Sequence, residues 1–157
     1  MNVSGMAASI LLAASIGSSA AQQKTPAGAL AEAEARWQAR KPAAYEFTIA
    51  VRCECSGQGS RPTFRVVGTE AQPLQDLEAA SRRFYDHYNT VEKLFAAIRR
   101  SITVGEYKIQ VRYEAEFGYP IVADLDPQRM VKDDELILRV TKFRRVEMPN
   151  PVSVKDR

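Results

Sequence analysis

The sequence predicts an α+β fold, with a single antiparallel sheet of about five strands and two main helices packed on one face. Several stretches alternate apolar and polar residues, which is typical of half-buried strands, and two stretches have helical spacing. The order of a helix followed by a hairpin occurs twice, which indicates a helix-hairpin pseudo-repeat. The 157 residues, 45% hydrophobic and 26% charged, suffice for one core. We therefore expect one domain over residues 29–147.

The N-terminus has the pattern of a secretory signal peptide. Its first 21 residues carry no charged side chain, and an apolar run from Ala7 to Ile16 precedes the small residues Ser19 and Ala21. This run is shorter than the roughly 20 apolar residues that span a bilayer. We expect residues 1–21 to be a signal peptide cleaved before Gln22, giving a secreted or periplasmic protein without a membrane span. Residues 22–28 are expected to form a disordered leader.

The first helix is predicted over Ala29–Arg40, which consists almost wholly of strong helix formers. Its apolar stripe is Leu30, Ala33 and Trp37. The helix should end before Pro42, because a proline disfavours helical geometry in the residue ahead of it.

A strand and its hairpin partner follow this helix. Alternate apolar positions define one face of the first strand, which includes both sulfurs if the strand extends that far: Tyr45, Phe47, Ile49, Val51, Cys53 and Cys55. Residues 56–62 are expected to form a loop, and Phe64 and Val66 a return strand ending at Gly68. No definite structure is predicted for 69–89.

A second helix is predicted because Val91, Leu94, Phe95 and Ile98 keep the spacing of one helical face. Its N-cap should be Asn89 or Thr90. Its end is expected near Arg100 and Ser101.

Three strands are predicted in the last third of the chain. Alternation from Tyr107 to Tyr113 and again from Tyr119 to Leu125 predicts an antiparallel pair, separated by the break Phe117-Gly118-Tyr119-Pro120. Pro120 should begin its strand or lie on an edge, because it cannot donate a ladder hydrogen bond. The last strand starts at Leu136 with apolar residues on both faces, which favours a central position. Residues 148–157 are expected to form a flexible tail.

The charge pattern argues against nucleic-acid binding. Lys and Arg total 22 against 19 for Asp and Glu, giving a net charge of +3 that is spread along the chain. No basic stripe with interleaved aromatic residues is present. The sequence therefore predicts solvated surface charge and no nucleic-acid partner.

Cys53 and Cys55 are the only two cysteines. In an oxidising compartment two neighbouring thiols form a disulfide more readily than they stay reduced. Side chains at i and i+2 of a flat strand lie farther apart than the roughly 3.5–4.5 Å between Cβ atoms that a disulfide prefers, so a local distortion is required. A redox-active pair and soft-metal ligation remain open as alternatives.

The acidic segment 124–135 invites comparison with a calcium loop. Asp124, Asp126 and Glu135 fall at the first, third and twelfth positions of an EF-hand template. Arg129, however, occupies the position that requires glycine, and Lys132 places a cation among the ligands. These residues are weak calcium candidates, and we expect a solvated turn without a metal.

No catalytic machinery is evident. His87 is the sole histidine and no serine or cysteine nucleophile has a recognisable partner for it, so no catalytic residue and no cofactor are predicted. Most tyrosines and phenylalanines lie on the alternation that builds the sheet. Phe117 and Tyr119, if exposed, would mark a possible partner surface.

Several of these pieces together resemble the DUF6174 family of secreted or lipoprotein-type bacterial envelope proteins. The pieces are Trp37, Tyr45-x-Phe47, Cys53-x-Cys55, Thr90-Val91-x-x-Leu94-Phe95-x-x-Ile98, Val111-x-Tyr113, Gly118-Tyr119-Pro120, Asp124 and Asp133-Asp134-Glu135. The sequence departs from the family pattern at Glu54, where an aromatic is usual, and at Glu114, where Asp is usual. The resemblance implies an exported protein whose biochemical role is unknown.

These observations favour a non-enzymatic binding or structural module of the cell envelope. Its sheet face or hairpin loops would contact an envelope protein or a small ligand. The alternative is a redox or soft-metal-binding protein that uses Cys53 and Cys55. A third and weaker alternative is a hydrolase, for which no machinery is visible.

Overall fold

A computed structural model describes residues 24–55, 59–129 and 135–147. Within these ranges the chain forms three helices and six strands. In chain order they are α1 (Pro26–Arg40), β1 (Ala44–Arg52), β2 (Thr63–Val67), β3 (Glu70–Pro73), α2 (Ala79–Tyr85), α3 (Val91–Val104), β4 (Lys108–Tyr113), β5 (Pro120–Asp126) and β6 (Leu136–Arg145). The predicted signal peptide and the predicted C-terminal tail lie outside the described residues. No described helix is both long and apolar enough to cross a membrane.

The strands form one antiparallel sheet in the order β3-β2-β1-β6-β5-β4. A helix precedes each group of three consecutive strands, and the two groups join through β1 and β6. The prediction of a central last strand is confirmed, because β6 lies between β1 and β5. Pro120 begins β5, as a residue without an N–H to donate requires. The α+β class and the single antiparallel sheet are therefore as predicted.

The sequence underestimated the number of elements. Six strands and three helices replace the predicted five and two, because residues 69–89, left undefined, contain β3 and α2. β3 has only four residues and contains Pro73, which the outer edge of the sheet tolerates. α2 has seven residues and buries only Tyr85. Elements this short carry too few positions to define a hydrophobic period.

Two helix boundaries also differ from the prediction. Residues 26–28, assigned to the leader, form the first turn of α1, because proline suits that position and the Thr25 hydroxyl accepts a hydrogen bond from the Gly28 N–H at 3.2 Å. α3 continues past Ser101 to Val104 and ends where Gly105 adopts φ 76°. Thr90 is its N-cap, with the hydroxyl accepting from Lys93 N–H at 3.2 Å.

All three helices pack on one face of the sheet. Trp37 of α1 contacts Tyr45 edge-on, Phe95 of α3 stacks on Tyr113, and Tyr85 of α2 meets Phe64. The core on this face includes the fully buried Trp37, Phe47, Ile49, Tyr85, Leu94 and Ile98. Since paired residues of neighbouring strands share a face, the polar positions of every strand lie together on the opposite side. We call this second side the open face.

One carboxylate joins three elements at the edge of the core. Glu92, in the first turn of α3, accepts a hydrogen bond from Trp37 Nε1 at 2.8 Å and one from the Tyr45 hydroxyl at 3.4 Å. The Tyr45 hydroxyl in turn accepts from the Val91 N–H at 3.2 Å. Burial, with the nearby Glu92 charge, raises the pKa of Tyr45. This network fixes α1 and α3 against β1.

Candidate functional site

One end of the open face is closed by a satisfied ion-pair cluster. Glu46 of β1 is only 2% exposed and lies between Arg65 of β2, at 2.7 Å, and Arg144 of β6, at 2.5 Å. Burial acts to raise the pKa of Glu46, but the hydrogen bonds and charges of the two arginines outweigh it and hold the pKa below its usual range. The cluster ties three strands together, and both of its arginines contact the same carboxylate.

A different arrangement occurs where β1 ends and β6 begins. A cavity of about 490 Å³ opens there between these strands and the segment 59–61, and its charged lining residues are Arg52, Arg61 and Arg139. We call this cavity the arginine groove. Arg139 pairs with Ala50 and Arg52 with Ile137, so the two arginines are diagonal cross-strand neighbours, with their Cα atoms about 7–8 Å apart.

The three arginines of the groove are exposed and lack acidic partners in the part of the chain that the structure describes. Arg65, Arg99 and Arg144, by contrast, each pair with a glutamate. Like charges placed this close repel one another, and an anion between them removes that cost while gaining charge-assisted hydrogen bonds. The groove is thus the described site best suited to an anionic ligand.

The wall that carries Arg61 is anchored to the core. The Ser60 carbonyl accepts a hydrogen bond from the Tyr85 hydroxyl at 2.5 Å, and the Pro62 carbonyl accepts from the Ile49 N–H at 3.0 Å. Burial raises the pKa of Tyr85, so the phenol stays protonated and keeps donating at neutral pH. The Ser60 hydroxyl oxygen is itself buried without a hydrogen-bond partner among the described residues. Arg61 is therefore attached to a segment with a fixed position.

Both cysteines lie in the turn directly after β1, which ends at Arg52. Cys53 and Cys55 have their sulfur atoms within bonding distance and their Cα atoms 5.3 Å apart, inside the usual range for a disulfide. The bend that brings them together supplies the local distortion that the sequence required. The pair thus closes the turn next to one of the groove arginines.

The acidic candidates lie around the Lys108 ammonium, whose pKa is raised by the hydrogen bond from Lys108 to Asp124 and by the charges of Asp124, Asp126 and Glu135. Asp124 pairs with Lys108 at 2.6 Å, and Asp126 accepts a hydrogen bond from the Gln128 N–H at 3.0 Å. The described residues contain no group of three or more His, Cys, Asp or Glu side chains that could hold a metal. Asp133 and Asp134 lie outside the described residues, so calcium binding stays an untested and weak candidate.

The remaining candidates lie on the helix side or at the surface. Phe117 and Tyr119 are half-buried and pack on Phe143, with the Tyr119 and Phe143 rings stacked 4.3 Å apart. Arg145 lies over the Phe117 ring at 5.6 Å. These contacts give both rings a packing role, and their use as a partner surface stays a prediction. His87 is exposed and contacts the neighbouring Tyr88 ring.

The arginine groove was not predicted from the sequence. Arg52 and Arg139 occupy polar positions of predicted strands, and Arg61 belongs to a predicted loop. The available signal was the share of arginine at outward strand positions. What brings them together is the pairing of β1 with β6, across more than 80 residues of chain, and alternation alone does not specify that register.

The fold defines a small α+β domain with one helix-covered face and one open face that carries the arginine groove. The chain belongs to the family of unknown function DUF6174, whose model matches residues 29–145. The family resemblance predicted from the sequence is therefore confirmed. No curated protein and no solved structure shows significant similarity to the chain.

Proposed function

We propose that this protein is an exported, non-enzymatic binding module that holds an anionic group of its ligand in the arginine groove. One observation carries the proposal: three exposed arginines border a single cavity of about 490 Å³ and have no acidic partner among the described residues. The uncharged N-terminal segment supports export.

Guanidinium chemistry favours this function over simple surface charge. Each guanidinium presents a rigid fork of donors that matches a carboxylate or phosphate, and it stays charged at every physiological pH. Two groove arginines lie on paired strands and the third on an anchored segment, so less freedom is lost on binding than with mobile loops. Because all three are exposed, salt should weaken the interaction.

The cysteine pair supports a structural role in the same module. A disulfide between Cys53 and Cys55 would hold the turn that follows Arg52, and so one wall of the groove. The competing function is a redox or soft-metal protein built on the same two sulfurs. Thiol titration of the purified protein under denaturing conditions should find no free thiol. Two free thiols, or bound copper or zinc in the isolated protein, would favour the competing function.

Citrate, a small trivalent anion, is a suitable first probe of the groove. Calorimetry on the purified chain should show binding in about 0.05 M salt that weakens strongly in about 0.5 M salt, since screening shortens the Debye length several-fold. Arg139→Ala removes the central cation and should weaken binding by about tenfold, because a hydrogen bond to a charged group contributes about 1.5–3 kcal/mol.

Arg83→Ala is the matched control. Arg83 is exposed on α2, which packs on the helix side of the sheet, so the variant loses the same charge on the other side of the sheet from the open face. The proposal predicts near-wild-type citrate affinity for this variant. Equal weakening in both variants would show that net charge alone accounts for the binding, and would contradict the groove as the site.

A further inference from the structure

The basic surface continues from the arginine groove across the sheet to β4. Arg139 pairs with Val122 of β5, and Val122 pairs with Arg112 of β4, so these three residues form one row on the open face. A second cavity, of about 380 Å³, lies along this row and shares Arg139 with the groove. Two strand spacings separate Arg112 from Arg139, which is about 9.5 Å between backbones.

Arg112 also forms no ion pair with an acidic side chain among the described residues. Asp124 lines the second cavity, but its charge is offset by Lys108 at 2.6 Å. Glu46, at the opposite end of β1 from the groove, is engaged by two arginines, and the charges of Asp126 and Glu135 act on Lys108 beside Asp124. The row therefore presents positive charge at both ends of a continuous depression.

The row between Arg112 and Arg139 is apolar, whereas Gln110 and Asp124 line the same cavity beside it. Ala50, Val122 and Ile137 are half-buried, and they lie between or beside the arginines. The described residues that line the two cavities include no aromatic side chain, so the face lacks the platform on which nucleic-acid bases stack. A ligand that uses the whole row needs anionic groups about 9.5 Å apart with apolar atoms between them.

Resting on the proposed function, we propose that the natural ligand is an extended acidic segment of a partner protein, bound across the open face. One carboxylate occupies the arginine groove and a second reaches Arg112. A chain in the polyproline II conformation advances about 3.1 Å per residue with three residues per turn, so acidic residues three positions apart lie on one side and match the arginine spacing. The apolar side chains between them contact Val122 and Ile137. Uniformly charged polymers such as polyphosphate or sulfated glycans offer no such contact.

The test compares a long and a short probe on the same variants. The long probe is a labelled peptide of about ten residues with a glutamate at every third position and alanine or valine between. The short probe is citrate, and a peptide with glutamine in place of glutamate is the neutral control. Arg112→Ala should weaken the binding of the long peptide about tenfold and leave the binding of citrate unchanged. Arg139→Ala should weaken the binding of both probes. Arg83→Ala should weaken the binding of neither.

Each outcome separates this inference from the proposed function. One outcome is that Arg112→Ala leaves the affinity for the long peptide unchanged while Arg139→Ala weakens the binding of both probes. That result would contradict the extended acidic ligand and would support the arginine groove as the anion site. Failure of both probes to bind the wild-type protein would reject the groove itself. If polyphosphate or a sulfated glycan of equal charge binds more tightly than the peptide, with the same dependence on Arg112, the acidic peptide is the wrong ligand. Circular dichroism establishes that each variant is folded.

Discussion

Gly118 lies where the turn before β5 passes closest to α1. Its φ of 88° is in the left-handed region, and a Cβ added there would collide with the Ala33 carbonyl oxygen and lie 3.0 Å from the Arg36 Cβ. The Gly118 N–H also donates to the Glu114 carbonyl at 3.1 Å. Both the backbone conformation and the close approach thus require glycine here. This explains the Gly-Tyr-Pro break in physical terms.

Gly118→Ala should therefore destabilise the protein strongly. We expect a loss of about 2–5 kcal/mol in the free energy of unfolding, from left-handed strain plus overpacking against α1. Gly105→Ala is the control, because Gly105 has a φ of 76° with open space around it and should lose only about 1–2 kcal/mol. Urea unfolding of both variants measures the difference. Equal losses would mean that the contact with Ala33 carries no energy.

At the scale of elements, the Glu46 cluster joins the two halves of the sheet. Glu46 belongs to β1, and its partners belong to β2 and to β6, the strand through which the second half attaches. Its side chain is 3% exposed, whereas those of Arg65 and Arg144 are 49% and 65% exposed. Because the arginines are partly solvated, the cluster contributes only modestly to the free energy of unfolding. Removing an arginine would still be costly, because it would leave the buried carboxylate without that partner.

The cluster predicts a dependence of stability on acid. Because the pKa of Glu46 is lower in the folded protein than its usual 4.5, its contribution is fully present above the unfolded pKa and is lost as pH falls through the folded pKa. Glu46→Gln should lower the free energy of unfolding by about 1–2 kcal/mol at pH 7. It should also make stability fall less steeply with acid below pH 4.5.

Glu70→Gln is the matched control, since Glu70 is exposed on β3 and makes no ion pair among the described residues. Melting temperatures measured across an acid titration distinguish the two variants. An unchanged acid slope in Glu46→Gln would contradict the assigned role of the cluster.

Elements with a long hydrophobic period could be predicted from the sequence, whereas short ones could not. The apolar stripe of α3 and the alternation in β1, β4 and β5 are strong local signals, and each places its residues on the helix-covered face. β3 and α2 form because tertiary contacts support them: β2 pairs with β3, and Tyr85 inserts beside Phe64. Local propensity alone gives no such information.

The grouping of arginines on the open face could not be predicted from the sequence. Alternation identifies that Arg52, Arg112 and Arg139 point away from the core, but it does not specify which strands are neighbours. Their proximity depends on the sheet order, in which β6 inserts between β1 and β5. The candidate site is thus a product of topology, and local sequence signals cannot reveal it. The cysteine pair could be identified from the sequence because its two members are nearly adjacent in the chain.

For the whole molecule, the two faces of the sheet differ in the side chains that they carry. The helix side holds the aromatic core, in which Trp37 and Phe47 are fully buried. The open face carries one satisfied ion-pair cluster and one row of unmatched arginines. Substituting these arginines removes no core contact, so anion binding should change while folding is preserved.

The most direct test of the arginine groove is mapping of backbone amide shifts by NMR during a citrate titration. If the groove binds citrate, saturable shifts should be concentrated at the end of β1, the start of β6 and the segment 59–61, around Arg52, Arg61 and Arg139. Shifts that cluster on the helix side, or that grow without saturation over the whole surface, would contradict the claim that this groove is a built anion-binding site.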